Sequence, residues 1–239
     1  MKRFIIFFLL SFLVLSCKKE LKTVVLFDSD FPGARLDSVS IVNNDKYIAH
    51  IHPAFEPVNK SPWFAFGVSS ESDKEVELVL NYGNYKHRYI PKLSTDKKSW
   101  NKIESSKIKI DSALGIATLK LNVTSEKLYV AAQEIESSED TYNWLDDITS
   151  KHPYLKKEIP GGTIGFKAFY EELLNDSEPS KSFREKFNII TFPLLNPDGA
   201  DMGNWRHNAN GTDLNRDWVD FTQPETQMVK SYIENKVKE

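Results

Sequence analysis

The stretch from Pro193 to Trp218, PLLNPDGADMGNWRHNANGTDLNRDW, gathers two arginines, two tryptophans and four aspartates directly after an apolar run. That run, Phe187 to Leu195, reads as a buried strand because it is short, continuous and bounded by turn residues. Asn196-Pro197-Asp198-Gly199 is a turn signature: proline fixes its own φ, aspartate can bond back to its own backbone, and glycine accepts the reversal. The strand is therefore expected to end at Leu195 and to hand over to a loop, where α/β proteins mount ligand contacts on a rigid scaffold. Arg206 and the pair Asn215-Arg216 lie on that loop. Planar guanidinium groups grip carboxylates through paired hydrogen bonds, and a neighbouring amide adds a donor or acceptor in another plane. The chemistry that suits such a set is holding an anion, or an oxyanion that forms during reaction. A lone Asn-Pro-Asp-Gly is usually only a turn, and a lone Asp-Leu-Asn-Arg only a helix start; their order and spacing make the combination specific.

These residues resemble the zinc metallocarboxypeptidases related to carboxypeptidase A, in the branch with an N-terminal β-domain shared with cytosolic carboxypeptidases. The resembling segments are Phe192 to Gly199, Asn204-Trp205-Arg206-His207-Asn208, and Gly211 to Trp218. The resemblance implies that Arg206 acts catalytically, polarising the scissile carbonyl and stabilising the tetrahedral oxyanion. It also implies that Asn215 and Arg216 bind the free C-terminal carboxylate of a peptide, which makes a peptide or protein C-terminus the expected partner and zinc the expected cofactor.

Working outward, 239 residues with 40% hydrophobic and 12% aromatic content suffice for an ordinary core in one large or two small domains. A net charge of −3 gives no basic footprint, so nucleic acid is not an expected partner. Lys2 and Arg3 precede an apolar run from Phe4 to Leu15, too short for a membrane-spanning helix but suited to the core of a signal peptide. Val14-Leu15-Ser16-Cys17 resembles a bacterial lipoprotein cleavage box and holds the only cysteine. A solitary cysteine there has no disulfide partner, and a lipid anchor accounts for it. The favoured reading is a 1–17 lipoprotein signal peptide and a mature chain tethered to the bacterial cell envelope through lipidated Cys17. An ordinary secretory signal is the alternative.

From Thr23 to about Ile135 the pattern is short and period-two, with strands expected at 24–27, 36–42, 63–68, 76–80, 108–110, 116–121 and 128–131, separated by polar turns. That argues for an antiparallel β-sandwich. The fold class expected is α+β with two domains: an N-terminal antiparallel β-sandwich over 23–150, then a partial α/β carboxypeptidase-like domain over 151–239. Phe31 to Leu36 and Pro57 to Phe66 resemble the β-domain of the same branch. His50 and His52 alternate onto one strand face, but two histidines without a third ligand carry no metal role. A connecting helix is expected over Asp140 to His152, an amphipathic helix from about Thr163, another around Ser180 to Lys186, and a last one from Gln223.

A hydrolytic zinc needs three protein ligands and an open position. The resemblance implies that the first two come from a His-x-x-Glu motif preceding the helix that starts near Thr163. Glu158 matches the glutamate and is the candidate metal ligand. Three positions upstream stands Leu155, which cannot bind zinc, and His152 reads as the end of the connector. The family's third zinc histidine and general base lie downstream of Asp-Leu-Asn-Arg, whereas Val219 to Glu239 contains no histidine. His207 reads as a loop histidine. The expected function is thus a carboxypeptidase-type envelope lipoprotein with an incomplete catalytic set. The alternatives are a non-catalytic module that binds peptide carboxylates, and a truncated remnant.

Overall fold

The computed structural model describes residues 24–56, 62–152, 155, 164–204 and 206–236. Ten strands come first: β1 (Val25–Asp28), β2 (Ser38–Ile41), β3 (Lys46–His50), β4 (Ala65–Ser70), β5 (Lys74–Asn81), β6 (Lys92–Ser94), β7 (Asn101–Lys102), β8 (Ile108–Asp111), β9 (Ile116–Val123) and β10 (Leu128–Ala131). They form two five-stranded sheets, ordered β1-β4-β10-β6-β7 and β2-β3-β5-β9-β8.

Period-two patterning builds the core between them. Along β9, Ala117, Leu119, Leu121 and Val123 point inward while Lys120 and Asn122 face solvent. Val76, Leu78 and Leu80 of β5 meet them, with Phe64, Phe66 and Val68 beside them. Each such side chain contributes roughly 1.5–3 kcal/mol by leaving water, which makes this face the main source of stability.

All pairings but one are antiparallel among the described residues. β3 and β5 run parallel, Lys46 opposite Glu77 and His50 opposite Asn81. The reason is topological: between them the chain crosses to the other sheet to form β4, so it re-enters in its original direction. Alternation of apolar residues reports which face is buried and says nothing about direction. Of the two histidines, His50 ends β3 and shares a hydrogen bond with Ser40 at 2.9 Å, while the His52 amide donates to Asp37 at 2.6 Å.

Helices follow: α1 (Ser138–Lys151), α2 (Ile164–Leu174), α3 (Glu178–Lys186), α4 (Pro197–Asp201) and α5 (Pro224–Lys236). Ser137 and Asp140 form a capping box that starts α1 by satisfying its first free amides. Leu145 and Ile148 of α1 pack with Tyr170 and Leu174 of α2 in a second apolar cluster. No helix among the described residues is long and apolar enough to cross a membrane.

One expected element is absent. Residues 187–195 form no strand; Phe187 is 55% and Ile190 47% exposed, and within the run Leu194 is buried. An apolar run becomes a buried strand only where a neighbouring strand accepts its backbone bonds. Among the described residues of the C-terminal half there is none, so the α/β part shows its helices without a sheet.

Candidate functional site

The loop after residue 195 is built from its turn residues. Asn196 caps α4: its side-chain oxygen accepts from the Gly199 amide at 3.0 Å, and Pro197 occupies the first turn, where an amide donor is not needed. The same side chain turns its Nδ2 to donate to the His207 carbonyl at 3.0 Å. One asparagine therefore fastens the start of the motif to its middle. Gly199 sits in the gap, where a Cβ would fall 2.1 Å from Asn196 Nδ2 and 2.3 Å from the His207 oxygen.

The sandwich holds this loop from the other side. The Gly33 amide donates to the Asp201 carbonyl at 2.7 Å, and the Asp201 carboxylate accepts from the Ser138 amide at 2.8 Å at the head of α1. Gly203, at φ +63°, passes so close that a Cβ would lie 2.7 Å from the Ala34 carbonyl oxygen. Trp63 Nε1 in turn donates to the Gly33 carbonyl at 2.8 Å. The Phe31 to Leu36 segment is thus one of the sandwich's contacts with the loop.

Beyond Gly203 the chain folds back on itself. The Arg206 and His207 amides donate to the Asn204 carbonyl at 2.8 and 3.3 Å. Asn208, buried, accepts from the amides of Asn210 and Thr212 through Oδ1 and donates to Gln223 at 2.9 Å and Glu225 at 3.1 Å. An antiparallel bridge joins His207 to Asp213. Asp213 then accepts from the Asn215 amide at 3.0 Å and caps a single tight turn, Leu214 to Arg216.

That bridge decides where the expected residues stand. It sets Arg206, next to His207, and Asn215-Arg216, just past Asp213, on adjoining backbone of one loop. Arg206 is half-buried and Arg216 exposed, and neither guanidinium meets a carboxylate among the described residues. Asn215 is exposed. A guanidinium without a carboxylate partner among the described residues can hold an anion through charge-assisted bonds.

Asp217 closes the loop. Its carboxylate is 4% exposed and accepts from the Thr222 amide and the Gln223 amide, each at 2.9 Å, and from the hydroxyls of Thr222 and Thr226. Burial alone would raise its pKa, but the hydrogen bonds from Thr222, Thr226 and Gln223 outweigh burial and hold it well below the ordinary carboxylate range. Of the residues that fix the site, Asn196 was marked in sequence by its turn signature, whereas Asn208, His207 and Asp217 carry no local signal of the bonds they make.

The metal position fits less well. Glu158 lies outside the described residues, as does Trp205. Leu155, three positions before Glu158 in the sequence, packs partly buried against Leu145, Ile148, Tyr170 and Leu174. His152 terminates α1, its amide donating to Ile148 at 3.0 Å. His207 is 2% exposed with its ring against Phe55. No three His, Cys, Asp or Glu side chains gather to hold a metal among the described residues.

Residues 157–238 match the zinc carboxypeptidase family model. Cytosolic carboxypeptidase 2 of Xenopus tropicalis is 40% identical over 62 residues, which cover 25% of this chain and 6% of that protein. An uncharacterized protein of Zymomonas mobilis is 24% identical over 213 residues, 72% of this chain and 55% of its own length. Among solved structures, a putative carboxypeptidase A from Shewanella denitrificans superposes with a TM-score of 0.73 at 21% identity, covering 88% of this chain and 66% of that one. The chain therefore spans a small part to just over half of these curated relatives, and about two thirds of the solved one. Motif and fold agree in likening this chain to the zinc carboxypeptidases, whose family model it matches over residues 157–238 behind an N-terminal β-sandwich.

Proposed function

We propose that this chain is the part of a carboxypeptidase that grips the free C-terminus of a peptide, with Asn215 and Arg216 holding the terminal carboxylate and Arg206 facing the oxygen of the scissile carbonyl. The observation that supports this reading is the His207–Asp213 bridge, which sets the three groups on adjoining backbone while both guanidinium groups stay free of carboxylate partners among the described residues. An entering carboxylate gains paired charge-assisted bonds and displaces no internal ion pair.

Zinc is the family's metal, and Glu158 is the one candidate ligand that the motif offers in this chain. Leu155 and the histidine-free segment 219–239 do not supply the rest, so no hydrolytic step is assigned to these residues. The chain as it stands binds peptides without cutting them. In calorimetry, an N-acetylated tripeptide with a free C-terminus is expected to bind and its amide not to, and Arg216→Ala to weaken binding about 10- to 100-fold. Equal binding of acid and amide, or release of the terminal residue that a chelator abolishes, would contradict the proposal.

The chain is further proposed to reside in the bacterial cell envelope, held by a lipid on Cys17, which lies outside the described residues. Support comes from the charged start, the apolar run and the single cysteine at its end. In detergent phase partitioning of cells expressing the full chain, Cys17→Ser should move the protein into the aqueous phase. Retention in the detergent phase would rule the anchor out.

A further inference from the structure

Phe55, on the sandwich, reaches the candidate site at two points. Its ring lies 5.7 Å from that of His207, tilted by 47°. It also lies against the other limb of the loop: a Cβ on Gly211, which adopts φ +73°, would come within 2.9 Å of the Phe55 ring. Phe55 is thus wedged between the two limbs of the turn that carries Arg206 on one side and leads to Asn215-Arg216 on the other.

His207 is fixed on every side but its own nitrogen chemistry. Its carbonyl accepts from Asn196, its amide donates to Asn204, and its backbone bridges Asp213. Its Nδ1, by contrast, is buried with no hydrogen-bond partner among the described residues. A buried nitrogen left unsatisfied is unfavourable, so the ring is held in place by packing and by the backbone around it. Arg206 is the next residue, and a backbone fixed at His207 sets the direction in which the Arg206 side chain leaves the loop.

We propose that Phe55 and His207 are positioning residues: the β-sandwich sets the orientation of Arg206 through their ring contact, and shape rather than nitrogen chemistry is what His207 contributes. The proposal rests on the carboxylate-binding reading for its consequence, and on the loop's order for its physical content. Loss of a hydrogen bond to a charged group costs roughly ten- to a hundredfold in affinity, so a loosened loop is read directly as lost affinity.

The test uses the full chain and the same acid tripeptide, with amide hydrogen exchange as a second readout. Phe55→Ala should speed exchange at Asn208 and Gly211, whose amides donate to Thr212 and Asn208, and weaken peptide binding about tenfold or more, while protection along β9 is retained. His207→Ala should do the same, and His207→Phe, which keeps a ring and removes both nitrogens, should restore most of the affinity that His207→Ala loses. Unchanged exchange in Phe55→Ala overturns the proposal, as does accelerated exchange with unchanged affinity, or a His207→Phe variant as weak as His207→Ala. If the unaltered chain binds no peptide, the carboxylate reading falls, and exchange alone then decides the positioning claim.

Discussion

Gly199→Ala is expected to dismantle the arginine loop. The added methyl would stand 2.1 Å from Asn196 Nδ2 and 2.3 Å from the His207 carbonyl oxygen. Neither can yield cheaply, because each is a partner in the hydrogen bond that ties Asn196 to His207. Relief requires either breaking that bond or moving α4, and α4 is held to the sandwich through Gly33 and to α1 through Ser138. Overpacking of this severity costs about 3 kcal/mol, which in a chain of this size lowers Tm by roughly 10 °C. Binding of the acid tripeptide should fall below detection even at temperatures where the variant remains folded. Calorimetric unfolding and peptide titration of the purified variant check both; a Tm and an affinity unchanged from the parent would show that the loop does not follow the path described.

Asp217→Asn should free the head of α5. The carboxylate accepts four hydrogen bonds from residues five to nine positions ahead, and an asparagine keeps one acceptor oxygen while turning an NH2 toward donors. Amides of Thr222 and Gln223 are expected to exchange about tenfold faster or more. The effect has a defined pH dependence. The folded carboxyl is held below its ordinary value of 3.8, so its contribution is fully present above that value and is lost only as pH falls further, through the folded pKa. The gap in stability between the parent and Asp217→Asn should therefore be constant from neutral pH to about pH 5 and narrow in stronger acid. A gap that widens on acidification would mean that the carboxyl is protonated in the folded chain.

The sandwich was legible because alternation in segments such as Ile116–Val123 and Lys74–Asn81 is a direct imprint of one wet and one dry face. The parallel β3/β5 pair was not, since direction depends on where the chain crosses between sheets. Phe187 to Leu195 misled for a related reason: apolar content records the need for burial, and the strand forms only if a partner is present. At the site, Arg206, Asn215 and Arg216 stood out because guanidinium and amide groups in that spacing have few other uses. Phe55 could not be found that way. It stands far from the loop in sequence and meets it through a ring contact that no local pattern encodes. Asp217 was hidden differently, for its donors are ordinary threonines and backbone amides whose convergence appears only once α5 is placed.

Two arginines are proposed to serve one peptide, Arg216 at its terminal carboxylate and Arg206 at the neighbouring carbonyl oxygen. Side-chain Nε–H signals of Arg206 and Arg216, assigned by loss in the corresponding alanine variants, can be followed by NMR as the free-acid tripeptide is added to the full chain. Both signals should move along one saturation curve, with the amidated peptide leaving both in place. Movement of only one arginine, two curves with different midpoints, or an equal response to the amide would contradict that assignment.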